Sequence, residues 1–401
     1  MKFSNRILKL NESPIRKLYP YAYAAEARGK KVYYLNIGQP DLPTPSCFHD
    51  AIKSYQKDTV SYSPTRGESS LLKSVINYYK ANNVDLSTDH LLVTNGGSEA
   101  LLFALSILCD AGDEVLIPEP FYVNTGFFIN QLDIKKVTIH TEEKSGYHLP
   151  SIQDIEKLVT DKTRAIIITN PNNPTGTMYS YEEINRIKEV ALKYNLFIIA
   201  DEVYSKITFT NEPFYSFGQL KGLENNLIIV DSVSKRYSAC GARIGMLISK
   251  NNEFMAQAMK LAASRLSVST FNQVGASVLY EIENEYFKGV KNEYLNRRNA
   301  VIEELQKIEH ISFHNPEGAF YMLITLPFKD ADHFAKWALE EFEYEGQTVF
   351  VAPAQDFYEN ENRGKNQVRL AFIYEEHTIR QAVFILGKAI STYLNRPIIE
   401  R

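Results

Sequence analysis

The sequence predicts an α/β fold: a mostly parallel sheet between two layers of helices, carrying a smaller α+β unit. Three observations lead there. First, apolar runs of strand length at residues 91–94, 114–117, 135–139, 164–169, 196–200 and 227–230 are mostly separated by stretches with helical spacing, the pattern of a βαβ series. Second, residues 245–249 return as a strand only fourteen residues after Asp231. That is too soon for a crossover helix, so an antiparallel neighbour is expected. Third, the order changes beyond Tyr286: a long charged amphipathic helix over residues 286–307 precedes short strands at 311–313, 320–326, 348–351 and 367–373, interleaved with helices at 330–342 and 376–394. The expected division is an N-terminal arm over 1–45, a large domain over 46–285 and a small domain over 286–401. Neither an internal repeat nor a Pro/Gly-rich linker separates the halves.

Composition narrows the function classes. With 401 residues, 44% hydrophobic and 23% charged, the chain can bury a large core and fill two domains. A formal net charge of -4 gives no basis for binding nucleic acid or an acidic membrane. The start, Met1-Lys2-Phe3-Ser4-Asn5-Arg6, leads into no long apolar run, so a cytoplasmic location is expected. Cys47, Cys109 and Cys240 are odd in number and far apart, which argues against a disulfide framework or a metal site.

The predicted strands end in chemistry. Residues 166–169 run into Asn170-Pro171-Asn172-Asn173-Pro174-Thr175-Gly176, and residues 196–200 into Asp201-Glu202-Val203-Tyr204. The run ending at Val230 leads to Ser232-Val233-Ser234-Lys235-Arg236 and on to Arg243. In open parallel sheets the ligand crevice lies outside the carboxyl ends of the strands, so Asn173, Asp201, Tyr204 and Lys235 should converge. Residues 91–94 open into Asn95-Gly96-Gly97-Ser98, a glycine turn feeding a helix start, which is an anion site. A lysine between serines with a guanidinium eight positions on fits a Schiff-base nucleophile beside a phosphate clamp; such a nucleophile needs a lowered pKa. Each element has an ordinary counterpart: a lysine in a polar loop, an Asp capping a turn, an Asn-Pro turn, a half-buried tyrosine.

Taken together and in this order, these residues resemble fold-type I pyridoxal-phosphate enzymes, and among them the class I/II aminotransferases. The similarity runs from Asn36-Ile37-Gly38-Gln39-Pro40-Asp41 to Val368-Arg369-Leu370. Pro118-Glu119-Pro120-Phe121-Tyr122 and Glu317-Gly318-Ala319-Phe320-Tyr321 look most like the bacterial aspartate aminotransferases. The resemblance implies a pyridoxal 5'-phosphate cofactor joined to Lys235, which then moves a proton at the substrate Cα. Asp201 would keep the pyridine nitrogen protonated, and Tyr204 with Asn173 would bond the phenolic oxygen. Ser232, Arg243, Gly97 and Ser98 would hold the phosphate, with Tyr62 donated by a neighbouring subunit of a homodimer. Arg369 would grip the substrate α-carboxylate, with Gly38 and Asn173 beside it. Arg265, in Ser264-Arg265-Leu266, resembles an arginine that relatives extend into the neighbouring subunit to read a distal carboxylate; an interface or surface arginine is the alternative. The resemblance also places the segment from Leu18 to Pro45 with the small domain. Two positions depart from the pattern: Tyr122, where many relatives carry a ring-stacking tryptophan, and Ala354, where many carry glycine.

The activity implied is amino transfer from an amino acid, aspartate favoured, to a 2-oxo acid such as 2-oxoglutarate by ping-pong half-reactions. Aromatic or other amino donors remain open, as does a β-lyase that shares the same cofactor residues. A sensor module of a transcription regulator would need a DNA-binding domain ahead of Asn36, and a nicotinamide dehydrogenase would need a G-x-G-x-x-G after a strand; neither is expected here.

Overall fold

A computed structural model describes residues 3–8, 10 and 12–396. The strands are β1 (Lys31–Tyr34), β2 (Leu91–Thr94), β3 (Glu114–Glu119), β4 (Lys135–His140), β5 (Thr163–Thr169), β6 (Phe197–Asp201), β7 (Leu227–Ser232) and β8 (Gly245–Ile248), followed by β9 (Ser312–Phe313), β10 (Tyr321–Thr325), β11 (Gln347–Phe350), β12 (Ala352–Pro353) and β13 (Gln367–Ala371). Seven of them form one sheet in the order β2-β8-β7-β6-β5-β3-β4. β4, β3, β5, β6 and β7 run parallel, and β8 is antiparallel to both β7 and β2. The short return after Asp231 thus does what its length demands.

The central strands are apolar on both faces because both faces are covered. Ile166, Ile168, Ile198 and Ile229 belong to a core with helix Tyr181–Lys193, while Ile167, Ile199, Ile228 and Val230 pack toward helices Gly97–Leu108 and Asn252–Arg265. Helix Tyr181–Lys193 starts at a capping box in which Ser180 and Glu183 satisfy each other's backbone N–H groups.

The long helix spans Asn284–Leu305, two residues earlier than its charge pattern suggests. Past it, β9, β10, β13 and β12 form a four-stranded antiparallel sheet, and β11 pairs in parallel with β1. Leu18, Ala22, Ala25 and Val32 from the N-terminal segment share one core with Phe334, Val349, Leu386 and Ile390. That core also takes in Val203, Tyr204, Ile207 and Phe209. The segment after β6 therefore belongs to the seam between the two lobes, and the crevice opens there. Among the described residues no helix is long and apolar enough to cross a membrane.

Candidate active site

The register brings the strand ends level. Thr169 sits opposite Asp201, Asp201 opposite Val230, and Gly245 lies between Thr94 and Ser232. The last pairing sets the Asn95–Gly97 turn against the lysine-bearing loop. Only glycine fits at 245, since a Cβ there would run into the Gly96 backbone. Gly96 takes φ +79 and leads into helix Gly97–Leu108.

These loops enclose a cavity of about 500 Å³. Its walls include Gly97, Ser98, Ser232, Arg243, Asp201 and Lys235, and also Gly38, Tyr122, Asn173, Tyr204 and Arg369. Tyr62 and Arg265 lie outside it. Tyr62 is 80% exposed; Arg265 pairs with Glu99 at 3.2 Å and donates to the Val93 carbonyl at 3.0 Å.

Asp201 brings a buried carboxylate to the cavity. Its carboxylate accepts one backbone bond, from Val203 N at 3.3 Å, and burial pushes its pKa up to about 7, with the Val203 bond and Lys235 opposing. A buried acid with a single weak donor accommodates a cationic N–H partner. The acid is more protonated in the folded than in the unfolded chain between pH 3.8 and about 7, so its contribution to stability falls as pH rises through that window. In the cofactor-free protein, Asp201→Asn is therefore expected to flatten this fall and to raise the unfolding midpoint at pH 8, while turnover of the loaded enzyme drops. An unchanged pH profile in thermal melts would remove the argument.

The Lys235 amine donates to the Gly38 carbonyl at 2.7 Å and lies 3.9 Å from Cys240 Sγ. Burial works against its charge, yet its pKa stands above the ordinary range because Tyr321, Cys240 and Tyr122 surround it. The lowered pKa that a lysine nucleophile needs is thus not supplied by these side chains alone. The reason for glycine at 38 also changes, because the Tyr321 hydroxyl occupies the place of a Cβ.

Arg369 is buried on β13, where it donates to Asn173 Oδ1 at 3.0 Å and to the Asn36 carbonyl at 2.5 Å. Its Nε has no partner, and its plane lies 4.6 Å from the Tyr321 ring centroid. An orphaned N–H on a positioned guanidinium is what a carboxylate ligand needs. Tyr204 and Tyr321 hydroxyls meet at 3.1 Å, and burial raises the Tyr204 pKa well above the phenol range. Arg243 sits at φ 53, ψ 43 and reaches the carbonyls of Cys240 and Asn95 beside the helix start. Guanidinium, helix N-terminus and the hydroxyls of Ser98 and Ser232 together could hold a phosphate. The residues present fit pyridoxal phosphate at both of its ends.

Sequence reading missed Tyr321 as a wall residue, although its motif had been noted, and missed Ser13, Ile15, Arg16, Gln39 and Asn124, which also line the cavity. Tyr321 could have been found from strand alternation opposite the Arg369 strand. Nothing local marks residues 13–16. Of the two departures, Ala354 is buried at φ -104, ψ 3, a conformation open to any residue, and Tyr122 lines the cavity where a ring-stacking side chain is expected.

Residues 30–383 match the family described as aminotransferase class I and II. The chain is 29% identical to an aspartate aminotransferase of Bacillus subtilis over 96% of its own length and 97% of the relative's. It is 32% identical to one of Thermotoga maritima over 84% and 88%. An alanine aminotransferase structure from Pyrococcus furiosus superposes with a TM-score of 0.89 at 29% identity, covering 98% of this chain and all of that one. With the family matched across most of its length and the cradle, acid and lysine gathered in one crevice, the chain belongs to the class I and II aminotransferases, pyridoxal-phosphate-dependent transaminases of fold type I.

Proposed function

We propose that the enzyme moves the amino group of an L-amino acid, aspartate favoured, to 2-oxoglutarate through two successive half-reactions. The observation that carries this reading is the buried Arg369 clamp, held by Asn173 and Asn36, in the same cavity as Lys235 and Asp201. Aspartate is favoured because relatives of Bacillus subtilis and Thermotoga maritima bear that name.

When bound, pyridoxal phosphate supplies an aldehyde that accepts the amino group and a ring that accepts the electrons of the Cα–H bond. The protein does the rest. Arg369 binds the α-carboxylate through its fork. That grip fixes the Cα–H direction toward Lys235, whose amine takes the proton from one carbon and returns it to another. Asp201 holds a proton at the ring nitrogen, and Tyr204 with Asn173 offers hydrogen bonds at the ring oxygen. Gly97, Ser98, Ser232 and Arg243 anchor the phosphate, so the ring keeps its place while the substrate changes. Tyr122, on the cavity wall, would stack on the ring.

The division into an arm over 1–45, a large domain over 46–285 and a small domain over 286–401 belongs to the same reading, as does a cytoplasmic homodimer. In that dimer the exposed Tyr62 would reach the partner's phosphate, and Arg265 would face the neighbouring site.

Adding an amino donor without an acceptor should convert the cofactor stoichiometrically to its amine form, read by absorbance. A β-lyase would instead regenerate the aldehyde and release pyruvate. With 2-oxoglutarate as acceptor, kcat/KM across aspartate, alanine, aromatic and branched donors should be highest for aspartate. A clear preference for alanine would overturn the donor assignment and leave the transaminase in place.

A further inference from the structure

We infer that Tyr321 is a positioning residue for amino transfer: its hydroxyl turns the Tyr204 hydroxyl toward the cofactor's ring oxygen, while its ring braces the Arg369 guanidinium. The inference rests on the roles proposed above for Tyr204 and Arg369.

Tyr321 begins β10, which pairs with the antiparallel β13 in the register Tyr321 to Ala371 and Leu323 to Arg369. Residues two apart share one face of a sheet, so Tyr321 is the diagonal neighbour of Arg369, a separation that an aromatic side chain can bridge. The Arg369 guanidinium carbon lies 4.6 Å from the Tyr321 ring centroid and 5.1 Å from that of Phe357. A planar cation against an aromatic face is oriented as well as attracted. That contact fixes the plane of the fork whose Nε has no partner in the protein.

The hydroxyl end does different work. Tyr321 is 2% exposed and Tyr204 4%, and both line the cavity. Their oxygens are 3.1 Å apart, and each is the other's only hydrogen-bond partner among the described residues. One proton fills that gap, so the second hydroxyl proton has no acceptor there. Tyr204 keeps its proton, because burial raises its pKa well above the phenol range. With Tyr204 as donor to Tyr321, it would have nothing left to donate to a ligand. With Tyr321 as donor, the Tyr204 proton is free to point into the cavity, and a hydroxyl that accepts one hydrogen bond donates a stronger one.

Tyr321 is itself tightly placed. Its hydroxyl fills the space that a Gly38 side chain would need, and its ring meets those of Phe320 and Tyr204 at centroid distances of 4.9 and 5.7 Å. The Gly38 carbonyl in turn accepts from Lys235. One side chain thus touches the hydroxyl at the ring oxygen, the backbone that receives the lysine, and the carboxylate clamp.

The test uses the holoenzyme with Tyr321→Phe, Tyr321→Leu and Tyr204→Phe. The first keeps the ring and loses only the hydroxyl. A hydrogen bond donated to the ring oxygen favours the form from which the neighbouring proton has left, so weakening it should raise the pH at which the bound cofactor's absorbance changes. The rise should be about 0.4–1 pH unit in Tyr321→Phe, the worth of one uncharged hydrogen bond, and larger in Tyr204→Phe. Arg16, Tyr122, Asp201, Lys235, Cys240, Arg243 and Arg369, the other ionisable side chains lining the cavity, are the same in all three, so the shift reads the hydroxyl. Affinity for propionate, a non-reacting monocarboxylate followed by the same absorbance, should stay within about twofold in Tyr321→Phe. It should fall by about 3- to 30-fold in Tyr321→Leu, where the face against Arg369 is gone. An unmoved titration in Tyr321→Phe, with Tyr204→Phe shifted, would overturn the inference and leave Tyr204 in its role. A titration unmoved by Tyr204→Phe would overturn the Tyr204 assignment itself, so the two failures are distinguishable. Propionate affinity retained by Tyr321→Leu would overturn the brace on Arg369.

Discussion

Lys235→Ala is expected to bind pyridoxal phosphate without the absorption band that attachment to a lysine produces, and to lose at least about 10²–10⁴-fold in turnover, the share a positioned base supplies. The competitor for this role is Lys206. Burial, aided by the Arg236 charge, pushes the Lys206 pKa down to about 8, whereas Lys235 stands above its ordinary value. By pKa alone Lys206 is the better nucleophile at neutral pH. Geometry reverses the order. Lys206 donates to Asn82 Oδ1 at 2.7 Å and lies over the Tyr78 and Phe287 rings, outside the cavity. Lys235 lies in it, together with Asp201 and Arg369. A base must first reach the proton it moves, and pKa matters only among groups that can. Borohydride reduction followed by peptide mapping should therefore label Lys235. A label on Lys206, or near-normal turnover of Lys235→Ala, would sink the assignment.

The strand ends were readable because a buried parallel strand must be apolar on both faces, so the polar residues that end it mark the crevice: Thr169, Asp201 and Ser232 line the cavity, whereas Asp231, the first polar residue after Val230, pairs with Arg236 behind it. The antiparallel β8 was readable from chain length alone. Arg369 and Gly38 were readable only through the resemblance, since nothing in strand periodicity separates a clamp arginine from a surface one. The reason for Gly38 was not readable, because the Tyr321 hydroxyl that fills its side-chain space comes from nearly three hundred residues away. Arg16 left no local mark, as a lone arginine in a turn has neither period nor motif. The direction of the Lys235 pKa was not readable for a similar reason: the groups around it, Tyr321 and Tyr122 among them, are assembled by the fold.

A second large effect is expected behind the site, at a pair that looked unexceptional in the sequence. Asp231 precedes the short helix Val233–Arg236 that carries Lys235 and Arg236 ends it, and both are almost wholly excluded from water, at 0% and 1% side-chain exposure. They form a direct ion pair. Asp231 also accepts from Ser232 N at 2.7 Å and from the Tyr79 hydroxyl at 3.1 Å. Arg236 lies over the Tyr78 ring at 4.9 Å, while its Nε and Nη1 have no hydrogen-bond partner. Such a pair adds little net stability over well-packed apolar groups, but removing one member strands the other charge in a dry interior, at a cost of about 3–5 kcal/mol. Asp231→Asn should therefore lower the unfolding free energy by that amount, read in urea as a lower midpoint with little change in slope. The double variant Asp231→Asn, Arg236→Met should recover most of the loss, because no buried charge then remains and the asparagine can still accept from Tyr79. Equal instability of single and double variants would show that volume or the tyrosine bonds matter more than charge. Function should separate from stability in the same set. Restoring the midpoint with an uncharged core does not restore the clamp at both ends of the lysine helix, so the double variant should keep a reduced kcat with KM nearly unchanged. Recovery of kcat together with stability would mean that packing alone, and not the ion pair, positions Lys235.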